Sequence, residues 1–167
     1  FISKKLAKQI CSKSKNIFLN TQLNAANIGY HTLRNYNNFN SLIINESELR
    51  HEFKDRYSNV KKLLLKLSQL INVKHILVTR GANGAICYNT KSGKFYEAPA
   101  FATKIIDKVG AGDTLLALFS ICVFSKIDVE MSLFIASIGA SISVETIGNS
   151  QSVDKKILLK IIEYFLK

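Results

Sequence analysis

Apolar residues recur along this chain at two spacings, one helical and one extended, and the two alternate. Residues 2–13 read as a helix, followed by a short strand at 17–20. Residues 24–36 predict a second helix that leads into an apolar strand at 41–44. Residues 46–53 and 60–71 read as helices, the latter with leucines at 63, 64, 67 and 70, the spacing of one helical face. The run His-Ile-Leu-Val-Thr at 75–79 has the continuous apolar character of a buried strand. Residues 81–84 mark a turn, and 85–88 with 94–97 read as an antiparallel pair around Gly93. After Pro99 a further strand is expected near 103–106. The last third is helical, at about 112–124, 130–145 and 154–166. The first of these helices is apolar on all sides, which predicts burial between the sheet and its neighbours. The second carries Ala, Ser and Gly on one face, which predicts the close approach of another element. Such alternation defines an α/β domain with a largely parallel sheet plus a β-hairpin.

Composition narrows the class. A chain of 167 residues with 47% hydrophobic content is one domain by length and can build a sizeable core. The longest apolar stretch, residues 115–124, is too short to span a bilayer and contains Ser120 and Cys122. Cys11, Cys87 and Cys122 are odd in number and far apart, which fits a reducing, cytoplasmic setting and no zinc site. The three histidines, His31, His51 and His75, are equally scattered. The net charge of +11 comes from 19 lysines and 4 arginines spread over helix faces, without the arginine forks of base-reading proteins. Neither a nucleic acid nor a membrane is therefore the expected partner, whereas a compact anionic substrate is compatible. The chain opens on Phe1 and lacks the continuous apolar run of a secretion signal, so either a processed or a truncated start is expected.

Three segments carry candidate chemistry. In Asp107-Lys108-Val109-Gly110-Ala111-Gly112-Asp113-Thr114, two glycines permit a tight turn, and the helix start beyond them offers unpaired N–H groups to an anion. An acid in such a turn would repel phosphate unless it had a task, such as taking a proton from an attacking hydroxyl. Asp113 is accordingly the candidate base, with Gly110, Ala111 and Gly112 as the amides that stabilise charge on a transferred phosphoryl group. A first-turn acid complementing the helix dipole is the plainer alternative. The P-loop pattern is excluded, since Gly93-Lys94 runs into Phe95; the dinucleotide fingerprint would need a third glycine where Leu115 stands. Asn45-Glu46-Ser47-Glu48 follows a strand and reads both as a capping box and as oxygen ligands that hold Mg²⁺ through water. Thr79-Arg80-Gly81-Ala82-Asn83-Gly84 closes another strand; it reads as a hairpin turn or as a nucleotide-phosphate contact made by Thr79 and Gly81.

Together these residues resemble the ribokinase-like (phosphofructokinase-B) family of sugar kinases. Its signature Asp-Thr-x-Gly-Ala-Gly-Asp is similar to residues 107–113, its Asn-x-x-Glu to 45–48, and its Thr-x-Gly-x-x-Gly to 79–84. Val78-Thr79-Arg80 and Gly110–Thr114 look most similar to the heptose-phosphate kinase branch. The resemblance implies a three-layer αβα fold, of which residues 1–167 form one partial domain, the nucleotide-binding half. It implies ATP and Mg²⁺ as cofactors and a sugar or sugar phosphate as substrate, with a homodimer in the full-length protein. By residue, Asp113 would be the base and Gly110–Gly112 the anion hole. Asn45 and Glu48 would organise Mg²⁺, Thr79, Gly81 and Gly84 would line the ATP site, and Ser137 would stand where relatives place an adenine-contacting Asn. Asp107 would contribute to a monovalent-cation (K⁺) site, though Lys108 and Val109 depart from the family's pattern. The family's sugar-binding Asp, Gly-Gly-x-x-x-Asn segment and β-lid have no counterpart here, so the chain is expected to be inactive alone and to expose an apolar sheet edge. The competing readings are a degenerate nucleotide-binding regulatory module and, further off, a basic nucleic-acid-binding domain.

Overall fold

The computed structural model describes residues 2–21, 33–146 and 152–167. Its elements run α1 (Lys4–Lys13), β1 (Phe18–Asn20), β2 (Ser41–Asn45), α2 (Glu46–Phe53), α3 (Val60–Leu70), β3 (His75–Thr79), β4 (Ala85–Asn89), β5 (Lys94–Ala98), α4 (Ala111–Phe124), α5 (Val129–Val144) and α6 (Lys155–Leu166). Short 3₁₀ turns occur at Leu33–Asn35 and Gly81–Asn83. Most of the helix expected over 24–36 lies outside the described residues; its described end is the first of these 3₁₀ turns.

The strands form one sheet in the order β1-β2-β3-β4-β5. The pairs β1–β2 and β2–β3 are parallel, with Ser41 beside His75 and Asn45 beside Thr79. Residues 80–84 and 90–93, which join β3 to β4 and β4 to β5, are too short for a parallel crossover of about a dozen residues. The sheet is therefore mixed: the parallel part expected from sequence is β1–β3, and the hairpin part is β3–β5. Among the described residues, β1 and β5 are the two end strands of this sheet.

The chain divides into two compact units, Phe1–Thr79 with Cys87–Phe95, and Arg80–Ile86 with Tyr96–Lys167. In the first unit the core is built on Leu42, Ile43, Ile44, Ile76, Leu77 and Val78, all at most 2% exposed. Burial of both faces of these strands explains why their sequence shows no polar alternation. Helix α2 packs on β2, β3 and α3, and Leu63, Leu64 and Leu67 are the buried stripe of α3. In the second unit α4 packs along α5, and α5 carries α6. The small face of α5 is used as expected: a Cβ on Gly139 would come within 2.0 Å of the Leu118 Cδ1 of α4.

Two expectations fail. Residues 103–106 form no strand, because their backbone donors go to the end of α5: Thr103 N–H to the Glu145 carboxylate and Ile106 N–H to the Val144 carbonyl. Helix α4 is not buried on all sides either. Leu115, Phe119 and Cys122 are its buried stripe, while Ile121 and Phe124 are 61% and 65% exposed. Among the described residues, no helix is long and apolar enough to cross a membrane.

Candidate active site

In the first unit the parallel register sets Asn45 and Thr79 side by side at the C-terminal ends of β2 and β3. Strand ends of this kind are where open α/β sheets bind ligands. Helix α2 begins at once after β2 because Asn45 is its N-cap: Asn45 Oδ1 accepts the Glu48 N–H (2.8 Å) and the Ser47 hydroxyl (2.7 Å). Glu48 Oε2 accepts the Asn45 N–H in return, at 2.9 Å. The capping box is thus real; it holds Glu48 to Asn45, which the strand register sets beside Thr79. Glu48 is 6% exposed, a buried carboxylate kept in place by that reciprocal bond. Among the described residues there is no cluster of three or more His, Cys, Asp or Glu that would enclose a metal. Asn45 Oδ1 and the Glu48 carboxylate are the oxygens that this strand end could offer a cation through water.

The second unit holds the other candidates. Gly81 and Gly84 lie at the two ends of the 3₁₀ turn after β3, both at positive φ (57° and 74°), and Arg80 N–H closes the turn on the Gly84 carbonyl at 2.7 Å. They differ in surroundings. A Cβ on Gly84 would sit 2.0 Å from the Ala98 carbonyl oxygen and 2.7 Å from the Pro99 carbonyl carbon, whereas one on Gly81 would meet nothing within 4 Å. Arg80 forms an ion pair with Glu97 at 3.6 Å.

Helix α4 starts at the glycine turn because Gly110 adopts φ 83°, a left-handed conformation that an L side chain resists. Its carbonyl accepts the first helical bond, from Thr114 N–H at 2.9 Å, and no side chain caps the helix. The amides of Ala111, Gly112 and Asp113 therefore form the open end of a helix dipole. Asp113 is exposed in that first turn, and a Cβ on Gly112 would meet nothing within 4 Å. This leaves room for an anionic group against the amides, beside the carboxylate.

The flanks of the turn are tied to the C-terminal end of α5. Before it, Ile106 N–H (2.8 Å) and Asp107 N–H (3.1 Å) both donate to the Val144 carbonyl. Thr103 N–H (2.9 Å) and its hydroxyl (3.0 Å) both donate to Glu145 Oε1. After the turn, the hydroxyls of Thr114 and Ser143 share a 2.7 Å hydrogen bond. Asp107 Oδ1 accepts the Val109 N–H at 2.9 Å. Ser137 lies on the buried face of α5, 7% exposed, and its hydroxyl has no hydrogen-bond partner among the described residues. Sequence reasoning passed over Thr103, Ser143 and Glu145, since nothing in their local pattern marks them.

The mixed α/β sheet, the uncapped glycine turn and the exposed acid at a helix start are features of an α/β protein. The chain belongs to the pfkB family of carbohydrate kinases, whose pattern matches residues 3–156. It is 30% identical over 94 residues to the bifunctional protein HldE of Campylobacter fetus, a match covering 56% of this chain and 20% of that protein. It is 32% identical over 80 residues to the 5-dehydro-2-deoxygluconokinase of Listeria monocytogenes, covering 48% of this chain and 24% of the relative. Its fold is similar to that of the Arabidopsis thaliana ribokinase solved with ribose and ATP, with a TM-score of 0.76 and 22% identity over 96% of this chain and 51% of that one. The matches thus take in a fifth to a quarter of these curated relatives, and about half of the solved structure.

Proposed function

We propose that this chain carries the nucleotide side of an ATP-dependent sugar kinase site, with Asp113 as the base. The carrying observation is the exposed carboxylate of Asp113 beside the open amides of Ala111 and Gly112, with space at Gly112 for a phosphoryl group. In the reaction the sugar oxygen forms a bond to the γ-phosphorus, the bond from that phosphorus to the β,γ-bridging oxygen breaks, and the hydroxyl proton passes to Asp113. The α4 amides meet the charge growing on the transferred group and need no reorganisation to do so.

The remaining roles follow the family resemblance. Thr79, Gly81 and Gly84 would contribute to the ATP site, and Ser137 would stand where relatives place an adenine-contacting Asn. Asn45 and Glu48 would hold Mg²⁺ through water, where it supplies charge neutralisation for the phosphates. Asp107 would serve a K⁺ site. The resemblance of residues 78–80 and 110–114 to the heptose-phosphate branch makes heptose phosphates the first substrates to try.

The test is turnover by the complete gene product with ATP, Mg²⁺ and a panel of sugars and sugar phosphates, for the native protein and Asp113→Asn. The variant should lose roughly 10²- to 10⁴-fold in kcat, the usual contribution of a general base, with ATP affinity retained. Turnover surviving in Asp113→Asn would remove the base assignment. ATP binding without turnover on any acceptor would favour a regulatory module instead.

A further inference from the structure

A base at a helix start works if the turn carrying it is held to a fraction of an ångström, because a 1 Å misplacement costs about 10²-fold in rate. The turn before Asp113 supplies little of that rigidity itself. Gly110 sits at positive φ and Gly112 touches nothing through a side chain, and glycine is the residue with most backbone freedom to lose. The constraint has to come from the flanks, and both flanks are bound by three consecutive residues at the end of α5. Val144 takes the N–H groups of Ile106 and Asp107, Glu145 takes both donors of Thr103, and Ser143 takes or gives the Thr114 hydroxyl bond.

We infer that Ser143 and Glu145 are positioning residues for Asp113: the last turn of α5 clamps the catalytic turn from both sides and fixes where its carboxylate and amides point. The inference rests on the reading of Asp113 given above. Two features set the clamp apart from ordinary packing. The last carbonyls of a helix have no partner within it, so the Val144 carbonyl is available to the 106–107 backbone in a fixed direction. Ser143 is 5% exposed, so water is a poor substitute for Thr114, and the pair makes its bond or leaves a buried hydroxyl unsatisfied. The clamp acts next to the reacting group, since Thr114 directly follows Asp113.

The experiment compares Thr114→Val, Ser143→Ala and their double variant with Thr114→Ser, which keeps the hydroxyl. Glu145→Ala is compared with Glu145→Gln, which keeps an acceptor oxygen at an exposed position and so tests the clamp even if the buried variants fold poorly. Steady-state kcat and KM for ATP are measured on the complete gene product well below its melting temperature, with Asp113→Asn as reference. We expect Thr114→Val and Ser143→Ala each to lower kcat about tenfold or more, short of the roughly 10²-fold of a full misplacement. The double variant should be no worse than either single one, because the same bond is lost. KM for ATP should stay within about threefold, and Thr114→Ser and Glu145→Gln should recover most of kcat; a role in stability alone predicts no such split. If Asp113→Asn abolishes turnover while the folded clamp variants keep kcat within about twofold of native, the clamp is wrong and the base assignment stands. If Asp113→Asn turns over normally, both fall together.

Discussion

Gly84→Ala is the substitution at which this fold makes its sharpest demand. The backbone there has φ 74° and ψ −138°, a region that costs an L residue roughly 1–3 kcal/mol. The added Cβ would stand 2.0 Å from the Ala98 carbonyl oxygen, 2.7 Å from the Pro99 carbonyl carbon and 2.9 Å from the Ala100 nitrogen. All three are backbone atoms, so no side-chain rotation relieves the overlap. Forcing such an atom into a filled site adds about 1–3 kcal/mol more. Gly81→Ala is the matched control, in the same turn and also at positive φ, but with nothing within 4 Å of its Cβ. The left-handed penalty alone, about 1–2 kcal/mol, applies there. For a chain of this size each kcal/mol shifts Tm by roughly 2–4 °C. Thermal and urea unfolding should thus place Gly84→Ala about 10 °C below native, and Gly81→Ala a few degrees below. A loss for Gly84→Ala equal to or smaller than that for Gly81→Ala would refute the packing of the 80–84 turn on residues 98–100.

Two further outcomes concern the first unit. Asn45→Ala removes the acceptor for the Glu48 N–H and should cost about 0.5–2 kcal/mol in urea unfolding, the usual range for an N-cap; a neutral result would deny the cap its weight. His75 is buried against Ser41, with Ser41 Oγ 3.0 Å from its Nδ1, and burial and then the Lys74 charge push its pKa down. The unfolded chain, with a His pKa of about 6.5, binds the proton more readily than the fold does, so this contribution is absent at high pH and stability is lost as pH falls below about 6.5. His75→Gln should shrink the drop in urea midpoint between pH 8 and 5.5, and an unchanged drop would assign it to other groups.

The elements that sequence reasoning placed well are those whose reasons are local. Strands β2 and β3 show as unbroken apolar runs because both faces are covered, and α3 shows as leucines on one face. The α2 start shows because a capping box is complete within four residues. Residues 103–106 were misjudged for the opposite reason. Ile105 and Ile106 look like strand, yet they are 52% and 44% exposed, and the segment's shape is set by bonds to Val144 and Glu145 some forty positions later. The clamp on the Asp113 turn was illegible on the same ground: its members are an ordinary serine, a backbone carbonyl and a surface glutamate, made meaningful by where α5 ends. The exposed Ile121 and Phe124 were equally out of reach, since an all-apolar helix states how much it could bury and not how much neighbours cover.

The glycines of the candidate motifs show how the structure divides what sequence treats as one signal. Gly84 is required by the chain itself, because the 98–100 backbone occupies the space a side chain would need. Gly110 is required by its positive φ, which lets α4 begin where it does. For Gly112 neither reason holds: it stands in the first turn of α4, where glycine is a poorer helix former than alanine, and nothing among the described residues approaches its missing Cβ. Its own fold would be better served by alanine. A glycine that stands against helix propensity, directly before an exposed acid and among open amides, fits the close approach of a ligand to the backbone. Gly112→Ala therefore separates the two demands: it should leave stability equal or slightly raised, while turnover falls if, as proposed, the methyl enters the space a phosphoryl group takes.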